Sequence, residues 1–147
     1  MIKLIATDID GTLVKDGTLI IDPEYMTVIS KLIDKGIIFT VCSGRQFSSE
    51  QKLFAPIKDK LMYITDGGTV VRTPDRILKT YPMSNELWKD MCRMVRDELP
   101  ACDYFAASPD LCYAEDGASP IFHRLRDSYG FEMREIDDLT KLENDDI

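Results

Sequence analysis

Apolar residues along this chain fall into two kinds of pattern, short unbroken runs and longer stretches in which they return every three or four positions. The runs are Ile2 to Thr7, interrupted only by Lys3, then Ile37 to Cys42 and Leu61 to Ile64. Each reads as a strand buried on both faces, as in a parallel sheet. Between the first two, Asp22-Pro23 offers an N-cap followed by proline at the first helical position, and Gly36 stands where a helix would stop. Met26, Ile29, Leu32 and Ile33 keep a 3.6-residue period between those signals, so an amphipathic helix packed on the sheet is expected, completing a right-handed strand-helix-strand unit. A second helix is expected from Ser48 to Phe54, capped by Ser48 or Ser49.

Turn chemistry divides the rest. Asp16-Gly17 between the apolar flanks Val14 and Leu19-Ile20-Ile21 is a hairpin signal, and a small flap over the sheet's mouth is expected there. Thr73-Pro74-Asp75 joins Val70-Val71-Arg72 to Arg76-Ile77-Leu78-Lys79 as a further hairpin. Thr80-Tyr81-Pro82 marks a boundary, giving segments 1–82 and 83–147. Beyond it, Ser84 or Asn85 caps a long helix whose Leu87, Trp88, Met91, Met94, Val95 and Leu99 form an apolar stripe expected in a core, and Pro100 ends it. Tyr104–Ala107 and Leu111–Ala114 read as paired strands, and helices are expected at Pro120–Asp127 and near Asp137–Leu142. The only histidine, His123, has no ligand-like neighbours in sequence and is expected on a helix surface.

Candidate chemistry sits at the ends of the first two strands. Asp8 and Asp10, at i and i+2 where the first run ends, point the same way if the extended geometry persists. That end of an open α/β sheet is where ligands bind. Such a pair is a nucleophile with its acid/base partner, a metal site, or the polar end of a buried strand. Gly11 permits a sharp turn and close ligand approach. Two adjacent carboxylates call for a cation, and a hard ion such as Mg²⁺ with oxygen ligands suits them. The second run ends in Ser43-Gly44-Arg45. The Ser43 hydroxyl, the Gly44 amide and the Ile9 amide that follows Asp8 are placed to cradle a phosphoryl group, since backbone N–H groups at strand-to-helix turns form an anion nest. Arg45 is suited to gripping phosphate or sugar bidentately, and equally to pairing with a carboxylate. After the third run, Gly67 and Gly68 imply either a turn needing positive φ or a ligand close to the backbone; the turn alone explains them.

Charge and composition narrow the class. The formal net charge of -8 leaves too little clustered Lys and Arg for a nucleic-acid backbone, and any phosphate site must be built locally. With 44% hydrophobic residues in 147, the chain can bury a core of its own. Cys42, Cys92, Cys102 and Cys112 are too widely spaced for a zinc knuckle or C-x-x-C pair and read as buried thiols of a reducing compartment. No apolar run approaches the ~20 residues of a membrane span. With no charged leader and h-region at the N-terminus, a cytoplasmic location is expected.

The stretch Leu4-Ile5-Ala6-Thr7-Asp8-Ile9-Asp10-Gly11-Thr12-Leu13 resembles the first motif of the haloacid dehalogenase-like hydrolases, an apolar strand followed by D-x-D-G-T-L. Ser43-Gly44-Arg45, one strand-helix unit later, resembles the second motif of the Cof-like branch, although that branch's Asn-Gly-Ala after the third strand is read here as Gly67-Gly68-Thr69. The resemblance implies an α/β fold, a partial doubly wound (Rossmann-like) core with an incomplete α+β cap inserted after the third strand. It implies a Mg²⁺-dependent phosphatase acting on a small phosphorylated metabolite, in particular sugar phosphates. In it Asp8 is the nucleophile, Asp10 the acid/base, and Asp8 with the Asp10 carbonyl holds the metal. A phosphomutase of the same superfamily and a non-catalytic fragment or phosphate-binding module are the alternatives. The family's later lysine and its G-D-x-x-N-D stretch do not appear, and the tail Glu143-Asn144-Asp145-Asp146-Ile147 follows a helix and not a core strand. An N-terminal fragment or shortened relative with impaired activity is therefore expected, with the strand bearing Asp8 as an exposed edge prone to self-association.

Overall fold

A computed structural model describes residues 1–15, 18–143 and 147. The expected Asp16-Gly17 turn and residues 144–146 of the acidic tail lie outside the described residues. The first part is a five-stranded sheet in the order β1 (Leu4–Thr7), β2 (Ile38–Cys42), β3 (Met62–Thr65), β4 (Val70–Arg72) and β5 (Ile77–Thr80). The first three strands are parallel, as their apolar runs implied, and β4 and β5 add antiparallel. The sheet thus exceeds the three strands expected, because the Thr73-Pro74-Asp75 hairpin folds back along β3 instead of leaving the layer.

Two helices pack on this sheet. α1 (Pro23–Asp34) starts where Asp22 accepts the Glu24 amide at 2.8 Å and buries Ile29, with Met26, Leu32 and Ile33 partly covered. Gly36 ends it with a φ of +80°. α2 (Phe47–Leu53) begins one residue earlier than expected. Neither Ser48 nor Ser49 caps it: Ser48 Oγ donates to the Gln46 side chain and Ser49 is fully buried. The core between these layers joins Ile9, Phe39, Val41, Phe47, Phe54 and Tyr63. Of the two expectations for β1, burial on both faces and an exposed edge, the second holds: it pairs only with β2 among the described residues, and Leu4 is 54% exposed. No strand forms over the described residues 18–21, where a hairpin arm was expected.

Beyond Pro82, α3 (Asn85–Glu98) is capped by Ser84, whose hydroxyl accepts the Leu87 amide. Most of its stripe is not core. Of the stripe only Trp88 is buried, with Cys92 beside it, whereas Leu87, Met91, Met94 and Leu99 are 44–52% exposed, because the small sheet beside it meets one side of the helix alone. That sheet holds β6 (Ala106–Ala107), β7 (Cys112–Ala114) and β8 (Met133–Glu135), the last unforeseen and parallel to β7. α4 (Pro120–His123) runs into a wider turn, Arg124–Ser128, and the helix expected near 137–142 is a single turn at Leu139–Lys141. His123 lies at the surface beside Arg126 and Asp127. The four cysteines are free thiols, but Cys102 is exposed and not buried.

One buried group on α2 has no apolar rationale. Glu50 is fully inaccessible and neither carboxyl oxygen has a hydrogen-bond partner among the described residues. Burial, reinforced by Asp66 and opposed by Arg45, pushes its carboxyl up to about 9. A carboxyl that titrates higher folded than unfolded stabilises most below its ordinary value and loses that contribution as pH rises toward 9. Urea unfolding is expected to show stability falling from pH 6.5 to 8.5, by on the order of 1 kcal/mol per pH unit. Glu50→Gln should flatten that slope, and an equal slope in both proteins would contradict the assignment. In the same assay Trp88→Ala should cost about 3–5 kcal/mol, whereas Met94→Ala should stay within about 0.5–1 kcal/mol.

Candidate active site

Register brings the two motifs together. Thr7 lies opposite Val41, so Asp8 follows β1 beside Cys42 and Ser43 comes next on the neighbouring strand. After Asp8 the chain curls: the Ile9 carbonyl accepts the amides of Thr12, Leu13 and Val14 at 3.2, 2.8 and 3.1 Å. This turn is possible because Gly11 takes a φ of +77°. Ile9 is fully buried in the core, so its side chain anchors the loop while Asp8 remains exposed and its Oδ2 accepts the Thr12 hydroxyl at 3.0 Å.

Asp10 is held differently. Arg45 Nε donates to Asp10 Oδ2 at 2.8 Å and Arg45 Nη2 to Oδ1 at 2.7 Å, a two-point fork. The arginine is 2% exposed, and its Nη2 also donates to the Thr18 carbonyl. Of the two roles open to Arg45, the geometry realises carboxylate pairing. The residues between the two strands are tied as well. Ser43 is buried and its hydroxyl accepts the Arg45 amide at 3.2 Å, while Gly44 is exposed.

A third strand end joins this edge. The amides of Asp66 and Gly67 donate to the carbonyls of Arg45 and Ser43 at 3.0 and 3.2 Å. Asp66, Gly67 and Gly68 all adopt positive φ, so the turn reading of the glycines is correct and extends one residue further, to an aspartate. Burial raises the Asp66 carboxyl to about 6 against the pull of Thr65 and Arg72. Sequence reasoning missed both Asp66 and Glu50. The unusual backbone of Asp66 was signalled only by its glycine neighbours, and Glu50 sits in a serine-rich stretch with no pattern of its own. A cleft of about 320 Å³ lined by Trp88, Met91, Tyr104 and Phe105 meets this edge only at Asp66 and includes none of Asp8, Asp10 or Ser43.

The donors at the edge are hard oxygens. Among the described residues no group of three or more His, Cys, Asp or Glu side chains is placed to hold a metal. Hard oxygens of this kind suit an ion that takes one or two protein ligands and completes its shell with water and phosphate, which is the habit of Mg²⁺. Among the described residues no helix is long and apolar enough to cross a membrane.

Comparison with known proteins agrees with this arrangement. Residues 5–147 match the family model of haloacid dehalogenase-like hydrolases. The 5-amino-6-(5-phospho-D-ribitylamino)uracil phosphatase YbjI of Escherichia coli is 25% identical over 147 residues, covering 97% of this chain and 52% of its own. A crystal structure from Eubacterium rectale is 82% identical, with a TM-score of 0.88, over 99% of this chain and 55% of that one. A haloacid dehalogenase-like hydrolase from Bacillus subtilis shares the fold, with a TM-score of 0.77 at 18% identity. The chain spans about half the length of these relatives. The match along nearly its whole length, with both aspartates on the carboxyl edge of a parallel sheet, means that the chain belongs to the haloacid dehalogenase-like hydrolases.

Proposed function

We propose that this edge is the phosphoryl-transfer site of a Mg²⁺-dependent phosphatase acting on small phosphate monoesters, sugar or sugar-alcohol phosphates among them. The observation that carries this reading is the contrast between the two aspartates. Asp8 is exposed, as an attacking group must be, and Asp10 is locked in orientation by Arg45. The name of the Escherichia coli relative, a phosphatase of a phosphoribityl compound, supports the substrate class.

In this mechanism Asp8 Oδ attacks phosphorus in line and the ester oxygen leaves, so that one P–O bond forms on the carboxylate as another breaks. Asp10, entering protonated on a lone pair that the Arg45 fork leaves open, gives that proton to the departing alkoxide, then takes one from the water that cleaves the aspartyl phosphate. The Ser43 hydroxyl and the amides of Ile9 and Gly44 hold the phosphoryl oxygens. Asp8 and the Asp10 backbone carbonyl would hold Mg²⁺. When bound, the ion offsets charge on the phosphoryl oxygens. Residues 1–82 supply this edge and 83–147 the start of a cap over it. The free thiols suit a cytoplasmic setting, and the open β1 edge suits pairing with a second chain.

The test is hydrolysis of p-nitrophenyl phosphate with Mg²⁺, alongside ¹⁹F NMR of bound beryllofluoride, a mimic of carboxylate-bound phosphoryl. Turnover by these 147 residues should be low, roughly 10²–10³-fold below a relative of full length assayed in parallel, because they do not include the lysine and G-D-x-x-N-D stretch that the family resemblance implies for such a site. Both turnover and the bound fluoride signal should vanish in Asp8→Asn. Hydrolysis or fluoride binding that survives this substitution would overturn the assignment.

A further inference from the structure

The segment 129–132, far along the chain, grips the first turns of α2 through its backbone. Gln46, fully buried, accepts the Glu132 amide at 2.6 Å and donates to the Glu132 carbonyl at 3.3 Å, as a strand partner would. Lys52 Nζ donates to the Gly130 carbonyl at 2.7 Å and pairs with the Glu132 carboxylate at 2.8 Å. Ser49 Oγ donates to the Tyr129 carbonyl, while the same oxygen accepts Arg45 Nη1 at 3.5 Å. The Tyr129 ring then covers the Arg45 guanidinium, with Cζ 5.0 Å from its centre. These contacts end on the arginine that holds Asp10.

We propose that the segment Tyr129–Glu132 sets the working orientation of Asp10 through Tyr129, Ser49 and Arg45, so that lifting it from α2 disengages Asp10 while leaving Asp8 in place. The physical basis is that a guanidinium keeps a two-point geometry only when its plane is restrained and water is kept from its remaining N–H groups. Tyr129 supplies the covering face, and Ser49 a further anchor beside the Thr18 carbonyl. An aromatic ring over a desolvated guanidinium is attractive in its own right, so closure of the segment and formation of the fork favour one another. Coupling of this kind is reciprocal: a phosphoryl group that needs Asp10 in position also holds the segment down. Tyr129 is thus a positioning residue, and the role of Asp10 it positions rests on the phosphatase reading above.

The test uses the full chain and ¹⁵N NMR of the Arg45 Nε–H, whose solvent exchange reports the fork without requiring turnover. In Tyr129→Ala this exchange should accelerate about tenfold or more, whereas Tyr129→Phe, which keeps the ring, should stay within about twofold of the parent. Ser49→Ala should accelerate it in the same direction, and the Val41 amide, buried in β2, should be unchanged in all three. Exchange of the Arg45 Nε–H unaltered in Tyr129→Ala, or a change matched at Val41, would overturn the proposal. Beryllofluoride binding separates the two claims. If it fails while Arg45 responds to Tyr129→Ala, the relay stands and the phosphatase reading falls. If it succeeds while Arg45 does not respond, the relay falls alone.

Discussion

A single ion pair orders the carboxyl edge of the sheet in this protein. Arg45 is almost wholly withdrawn from water, and an arginine cannot shed its charge to suit its surroundings. It must be matched, and Asp10 matches it with both oxygens. Removing one partner of such a pair typically costs about 3–5 kcal/mol, because the other is left charged and unsatisfied in a dry site. The fork therefore couples two loops that sequence separates by 35 residues. One is the turn after β1, anchored by Ile9; the other is the Ser43-Gly44-Arg45 bend after β2, whose carbonyls also hold the amides of the third strand end.

The surrounding carboxyls answer to burial. Burial keeps the Glu50 carboxyl protonated at neutral pH in spite of Arg45, whereas Asp66, raised only to about 6 and drawn down by Thr65 and Arg72, is largely ionised there. Asp8 is exposed at the same edge.

Much of the core was legible because burial on a parallel sheet leaves a plain signature. Ile37 to Cys42 and Leu61 to Ile64 have almost no polar interruption, and the Asp22-Pro23 start of α1 is a local device that tertiary packing did not alter. The first run by itself read as buried on both faces, because apolar composition reports what a strand can bury while its neighbours decide what it does bury; among the described residues β1 has a partner on one side only. The α3 stripe misled for the same reason. β8 has three residues, two of them charged, so its pairing with β7 left no period to detect. At the site, the aspartates and Ser43 were readable from strand ends. The Arg45–Asp10 fork was not, since it joins two loops whose approach depends on register. Tyr129 lies further still, and only the folded chain shows it over Arg45.

The most direct measurement of this arrangement is a double-mutant cycle on folding stability, with Asp10→Asn, Arg45→Met and the pair together. A buried two-point fork should give a coupling free energy of about 2–4 kcal/mol, with each single variant less stable than the double variant would imply by addition. Strictly additive effects, with coupling below about 0.5 kcal/mol, would mean that Arg45 does not hold Asp10 and that the edge is ordered by something else.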